Sequence, residues 1–258
     1  MEGPEADEHY TERLVRLSNL AVYYEPPAVN KIGMRRAGIG VPDDAAVYWC
    51  CQFLSKYPPQ YDSIFARIAK RVRQARFVFI RYQHGACVVE ILEERLKRAF
   101  AEEGLSSSEH CIFLPPMDFG RFNAVAQLSD VYLDSIGWSG CDSLLEAIAW
   151  NLPPVILPSS LMRGRHAVAI MAMMGVTETI ASNLDDYVDI AVRLGLSSGE
   201  RTAVSARIAE NKHKVYRDIS AVRSLETFIA TVVEHGIEAY TQPARSPLAL
   251  SIDQLASA

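Results

Sequence analysis

The fold is decided by residues 130–158, DVYLDSIGWSGCDSLLEAIAWNLPPVILP. A short apolar run, DVYLD (130–134), leads through a loop with two glycines into the amphipathic stretch SLLEAIAW (143–150), and PPVILP (153–158) is a second apolar run. Short apolar runs bounded by turn formers are typical of buried strands, whereas apolar residues spaced three and four apart are typical of helices. The stretch therefore predicts a strand, a helix and a second strand, which is the repeating unit of a parallel sheet.

The same alternation extends toward the N-terminus. Further strands are predicted from AVYWCC (46–51), FVFIRY (77–82) and CIFLP (111–115), and MDFGRFNAVAQL (117–128) predicts a short helix. A helix is predicted to open at the Pro58-Pro59 pair, and the next helix carries one apolar stripe formed by Val88, Leu92, Leu96 and Phe100. Strands this apolar on both faces predict a doubly wound α/β parallel sheet, because helices then cover both of its sides.

The chain after residue 158 is predominantly helical. Helices are predicted at 164–174, 184–194, 199–214 and 220–234, and TETIA (177–181) is a candidate edge strand. We divide the chain into an irregular segment (1–45) that is a linker or packs on something else, a sheet lobe with extra C-terminal helices (46–236), and a flexible tail (237–258).

Composition excludes several classes of function. The chain of 258 residues carries 26 Lys and Arg against 31 Asp and Glu, a net charge of -5, so it offers no electrostatic footprint for nucleic acid or an anionic membrane. It has no apolar run of about 18 residues and its opening MEGPEADEHY is acidic, which favours the cytoplasm. Five cysteines without a C-x-x-C pattern favour reduced thiols, and scattered histidines disfavour a protein-bound metal.

Ligands of an open parallel sheet bind beyond the carboxyl ends of the strands, so the loops there are the candidate sites. Lys56 follows the first strand close to a helix start, where its ammonium can reach an anion; the alternative is a solvated surface lysine. After the third strand, the backbone of Met117 is free and Phe122 lies about one turn inside the next helix. The Phe122 ring can stack on a base or belong to the core.

The loop between the fourth strand and its helix is the most informative. Ser139 and Asp142 fit an S-x-x-D capping box, so Gly140 to Ser143 are predicted to present backbone N–H groups to a phosphate. Glu146 follows Asp142 by four residues, about 6 Å along a helix axis, which is the spacing from a diphosphate to a ribose. The alternative is an ordinary capped helix with a solvated glutamate.

At these residues the chain resembles the C-terminal catalytic lobe of the family 41 glycosyltransferases, the O-linked N-acetylglucosamine transferase and SPINDLY group. The resemblance covers about residues 8–235. Its segments follow the family's order: HYTERLVRL (9–17), KYPPQYDSIFARIAKRV (56–72), LPPMDFGRF (114–122), LSDVYLD (128–134), SLLEAIAWNLPPVILP (143–158) and LMRGR (161–165). It implies the Rossmann-like second lobe of the GT-B fold. The implied activity is inverting, metal-independent transfer of a sugar from a nucleotide sugar, UDP-N-acetylglucosamine above all, to a protein side chain.

The resemblance also assigns roles. Lys56 matches the lysine that contacts the diphosphate, where its charge stabilises the departing UDP without moving a proton. The backbone at Met117 matches the group that hydrogen-bonds the uracil edge, Phe122 the residue that packs on the base, and Glu146 the acid that holds the ribose. No cofactor is implied beyond the nucleotide-sugar donor, which is a substrate.

Two departures from the family pattern matter. Where the family has His or Asn followed by two threonines that donate to the diphosphate, this chain has Cys141, Asp142 and Ser143. Ser143 keeps a hydroxyl donor. We interpret Cys141 as a small side chain that fills space, in preference to a nucleophile. The Asp142 carboxylate repels a diphosphate unless it turns back to cap its own helix.

The second departure is that nothing before residue 45 predicts a first GT-B lobe. We therefore expect either the remnant or product of a longer gene, or a chain that pairs with a separate first-lobe polypeptide. Two other classes stay open: a non-catalytic nucleotide-binding module, and an interaction protein whose N-terminal segment docks on a larger assembly.

Overall fold

Five short strands form one parallel sheet in the computed structural model, which describes residues 1–3, 5–28, 33–82 and 85–241. The strands are β1 (Ala46–Cys50), β2 (Ala75–Ile80), β3 (Cys111–Leu114), β4 (Val131–Leu133) and β5 (Pro154–Val155). Their order across the sheet is β3-β2-β1-β4-β5, and every neighbouring pair is parallel. The predicted doubly wound α/β fold is confirmed, and each strand overlaps a predicted apolar run, although β2 lies two residues earlier than predicted and β5 is only two residues long.

The strand order reverses beside β1, and this reversal positions the site. Tyr48 of β1 pairs with Phe77 of β2 on one side and with Val131 of β4 on the other. The chain builds outward from β1 to β3 and then returns to start the other half of the sheet at β4. Because crossover connections are right-handed, the two halves place their helices on opposite faces, and a crevice opens at the carboxyl ends of β1 and β4.

The helices alternate with the strands and then continue alone. They are α1 (Ser63–Arg71), α2 (Ala86–Glu102), α3 (Ser107–His110), α4 (Phe119–Leu128), α5 (Asp142–Ala149), α6 (His166–Met174), α7 (Leu184–Leu196), α8 (Ser198–Asn211) and α9 (Ile219–His235). The predicted opening at Pro58-Pro59 is a separate 3-10 turn, Pro59–Tyr61, ahead of α1. Of the candidate edge strand 177–181 only a bridge between Ile156 and Ile180 forms, because the segment turns at Thr177.

The inner strands of the sheet are buried on both faces, as apolar strands require, whereas three of the four residues of the edge strand β3 are partly exposed. Every residue of β1 is buried, and Tyr48 and Trp49 are fully enclosed. The Tyr48 hydroxyl donates to the Ala191 carbonyl at 2.9 Å, which satisfies its buried polar end. On α2, Arg95 donates two hydrogen bonds to the Asp62 carboxylate at 2.6 and 2.8 Å, which ties α2 to the segment leading from β1 into α1.

The N-terminal segment packs on the lobe. Leu20, Ile39 and Val41 are buried in the same core as the strands. Arg36 pairs with Asp130 at 2.8 Å, close to the start of β4. The described part of this segment therefore contacts the sheet lobe through buried apolar side chains and an ion pair. In the predicted tail, Ile237–Ala239 form a 3-10 turn and residues 242–258 lie outside the described part of the chain.

Candidate functional site

A cavity of about 350 Å³ opens at the carboxyl ends of β1 and β4. Its lining comes from the loop after β1, from α4, from the loop and helix after β4, and from the start of α6: Cys51, Gln52, Phe53, Lys56, Phe122, Trp138, Ser139, Cys141, Asp142, Ser143, Glu146 and His166. The structure thus brings together six of the eight residues singled out in the sequence. Met117 and Gly140 are not in the lining.

Lys56 is the lysine of the cavity. It ends a 3-10 turn, Leu54–Lys56, which directs its side chain back over the end of β1. Its ammonium donates to Gln52 Oε1 at 3.1 Å and lies 5.6 Å from the centroid of the Trp138 ring. No carboxylate in the described part of the chain lies within ion-pair distance of it. The charge therefore faces the cavity without a fixed acidic partner.

A polar network joins the end of β1 to the start of α5. The Gln52 amide donates to the Tyr132 hydroxyl at 2.8 Å and to Ser143 Oγ, and the two hydroxyls lie 3.1 Å apart. Gly140 makes this network possible, since a Cβ there would lie 2.2 Å from the Tyr132 oxygen and 2.6 Å from Gln52 Nε2. The network fixes the position of Ser143 at the cavity wall.

The predicted capping box at the start of α5 is wrong. Cys141 is the N-cap residue and α5 has no side-chain cap. The Ser139 hydroxyl instead donates to Asp134 Oδ2 at 2.7 Å and accepts from the Ala167 N–H at 2.8 Å. Gly140 donates its own N–H to Asp134 Oδ1 at 2.7 Å, so the amide predicted to face a phosphate is engaged. Of the amides predicted to face a phosphate, those of Asp142 and Ser143 lie at the N-terminal end of α5.

The competing partner, Asp134, was not identified from the sequence. It follows β4 directly, is only 3% exposed, and organises the loop beneath the cavity. Burial raises the pKa of its carboxyl to about 7, against the opposing effect of the bonds from Gly140 and Ser139. An acidic residue directly after a buried strand, as in DVYLD, is the sequence signal that could have identified it.

Glu146 lies one turn into α5 and is half-buried in the cavity wall. Burial raises the pKa of its carboxyl, a hydrogen bond from Tyr24 lowers it, and the nearby Asp142 raises it. The Tyr24 hydroxyl lies 3.3 Å from Glu146 Oε1. Tyr24 belongs to the segment predicted to be irregular, and no local pattern in the sequence connects it to a residue 122 positions away.

Phe122, Cys141 and His166 also line the cavity. Phe122 contacts the cavity and also packs on Trp49, with ring centroids 5.3 Å apart. Burial and the neighbouring Asp142 raise the pKa of the Cys141 thiol to about 11, which disfavours the reactive thiolate. This agrees with the interpretation of Cys141 as a side chain that fills space. His166 lines the cavity from α6, and burial lowers its pKa. His166 lies outside every sequence motif, so no local pattern predicted a role for it.

Comparison with known proteins decides the family. Glycosyl transferase family 41 matches residues 18–222. The chain belongs to this family. It is 26% identical over 173 residues to a UDP-N-acetylglucosamine–peptide N-acetylglucosaminyltransferase of Caenorhabditis elegans, covering 67% of this chain and 14% of that protein. It is 22% identical over 227 residues to the probable SPINDLY enzyme of Solanum lycopersicum, covering 87% and 24%.

Two solved structures share the fold of this chain. An O-GlcNAc transferase mutant of Thermobaculum terrenum superposes with a TM-score of 0.73 at 26% identity, covering 92% of this chain and 43% of that one. The structure described as trehalose-6-phosphate from E. coli bound with UDP-2-fluoro glucose gives a TM-score of 0.51 at 16% identity, over 74% of this chain and 44% of that one, which shows the fold alone. The fold is a lobe of a GT-B glycosyltransferase. The family 41 chain spans a quarter or less of these two curated relatives and under half of the bacterial structure.

Within the described part of the chain, no group of three His, Cys, Asp or Glu side chains is arranged to hold a metal ion. The helices described also lack the combination of length and apolar character that crossing a bilayer requires.

Proposed function

We propose that this chain is the donor-binding lobe of a glycosyltransferase that transfers N-acetylglucosamine from UDP-N-acetylglucosamine to protein side chains, with inversion and without a metal ion. The observation that carries the proposal is the convergence of Lys56, the first amides of α5 and Glu146 on one cavity. A diphosphate at the helix N-terminus meets the positive end of the helix and the Lys56 ammonium. A ribose one turn deeper meets Glu146.

Lys56 has the leading chemical role in this proposal. As the glycosidic bond breaks, negative charge accumulates on the UDP diphosphate, and a cation already in place stabilises it without reorganisation. The base would lie toward Phe122 and the backbone of Met117. The partners are a nucleotide sugar, a protein acceptor and a first GT-B lobe.

Calorimetric titration with UDP and UDP-N-acetylglucosamine tests the donor site. Micromolar binding is expected, and Lys56→Ala should weaken UDP binding by about 10- to 100-fold, the range for hydrogen bonds to charged groups. Lys97→Ala, at an exposed lysine of α2, is the matched control and should leave the affinity unchanged. EDTA should not alter it either. Absence of heat with both ligands contradicts the proposal.

A second candidate is a nucleotide-binding module that transfers nothing. The Asp142 carboxylate favours it, because it lines the cavity beside the proposed diphosphate position and does not cap α5. A transfer assay with radiolabelled UDP-N-acetylglucosamine, protein acceptors and an added first-lobe polypeptide separates the two. Label in the acceptor that disappears in Lys56→Ala supports the enzyme, whereas tight UDP binding without transfer supports the module.

A further inference from the structure

We propose that Tyr24 is a positioning residue for the nucleotide site: its hydroxyl holds one oxygen of Glu146 so that the other is presented to a ribose hydroxyl. This inference rests on the proposed function. Tyr24 donates to Glu146 Oε1 at 3.3 Å but is not part of the cavity lining, so it reaches the carboxylate from behind. Glu146 Oε2 has no hydrogen-bond partner in the described part of the chain.

The phenol is suited to this role because it stays protonated. Burial, followed by the charges of Glu146 and Asp142, raises the pKa of Tyr24 above its ordinary value. A protonated phenol donates and a carboxylate only accepts, so the direction of the bond is fixed. A tyrosine ring also has few rotatable bonds, so little freedom is lost in holding the contact.

The backbone around Tyr24 is anchored independently of the cavity. Its carbonyl accepts from the Arg217 N–H at 3.0 Å, and the next residue, Glu25, pairs with the Arg217 side chain at 2.7 Å. The neighbouring Tyr216 donates to the Leu145 carbonyl of α5. The N-terminal segment and the connection between α8 and α9 therefore meet on the helix that carries Glu146, and a glutamate that is otherwise free to change rotamer is held before ligand arrives.

Tyr24→Phe removes the hydroxyl and leaves the ring, which makes it the informative variant. We expect a three- to tenfold loss of UDP affinity by calorimetry, roughly the range of a single hydrogen bond. Tyr23→Phe is the matched control, since the Tyr23 hydroxyl bonds the exposed Glu25 and not the site. It should change the affinity less than twofold.

A double-mutant cycle tests whether Tyr24 acts through Glu146. In a Glu146→Gln background, Tyr24→Phe should change UDP affinity less than twofold. Carboxyl NMR titration of the free protein adds a readout that general loosening of the structure would not give: the pKa of Glu146 should rise in Tyr24→Phe, because a bond that favours the ionised form is lost.

Three outcomes overturn the role of Tyr24: unchanged UDP affinity in the single variant, an equal loss in both backgrounds, or an unchanged Glu146 pKa. Failure of the unmodified protein to bind UDP is a different result, because it overturns the proposed function itself. The NMR titration needs no ligand, so it still reports whether Tyr24 governs the carboxylate in that case.

Discussion

Replacing Asp134 with asparagine should flatten the dependence of stability on pH. The carboxyl is fully buried and burial raises its pKa from 3.8 to about 7. Between those two values the folded protein keeps a proton that the unfolded chain releases. The free energy of unfolding therefore falls as pH rises through this window, because the unfolded chain binds fewer protons there than the folded protein. The amide introduced by Asp134→Asn does not titrate, so the variant lacks this contribution.

The magnitude follows from the two pKa values. Linkage gives a loss of about 2 kcal/mol in the free energy of unfolding between pH 5 and pH 7 from this one group, and about 4 kcal/mol if the whole window is crossed. The variant should keep the fold, because its carbonyl can still accept from the Gly140 N–H and the Ser139 hydroxyl keeps the Ala167 N–H as a donor.

Urea denaturation at pH 5 and pH 7 measures the effect. The unmodified protein should lose about 2 kcal/mol more than Asp134→Asn between the two pH values, because other groups titrate alike in both. Asp44→Asn, at an exposed aspartate, controls for the loss of a surface charge and should follow the unmodified protein. An equal pH dependence in the unmodified protein and Asp134→Asn would refute the assignment of the raised pKa to Asp134.

Three further predictions follow from the site and its support. Asp142→Asn should strengthen UDP binding about fivefold by removing roughly 1 kcal/mol of like-charge repulsion at a solvated site; unchanged or weaker binding in calorimetry would contradict the proposed diphosphate position. Gly140→Ala should weaken UDP binding and lower the thermal midpoint, since its Cβ would lie 2.2 Å from the Tyr132 hydroxyl; a midpoint equal to that of the unmodified protein would count against it. Arg95→Ala should lower the free energy of unfolding, measured by urea denaturation, by about 3–5 kcal/mol, because it leaves the buried Asp62 carboxylate unpaired. Arg98→Ala, at an exposed arginine of the same helix, should lower it by less than about 0.5 kcal/mol. Equal losses in the two variants would contradict the pairing of Arg95 with Asp62.

The sheet was predictable because its signal is local and repeated. Each strand is an apolar run bounded by turn formers, and each run predicted one strand of the structure. Lys56 and Glu146 were expected to share a site because ligands of an open parallel sheet bind beyond the carboxyl ends of the strands and the family resemblance assigned both residues to one donor site. The structure adds the reason that they meet: the two strands that precede them, β1 and β4, are neighbours where the strand order reverses. Residues far apart in sequence could thus be placed together without any knowledge of side-chain contacts.

The interior of the site was less predictable because its contacts compete. The S-x-x-D pattern at Ser139 describes one way to satisfy a helix start, and nothing local to it reveals that a buried carboxylate six residues before Gly140 needs the same donors. An uncapped helix end in a half-open cavity is tolerable because a ligand or water can bond its amides. An unsatisfied buried carboxylate is far more costly. The Ser139 hydroxyl therefore goes to Asp134, and the end of α5 is left with donors for whatever enters the cavity.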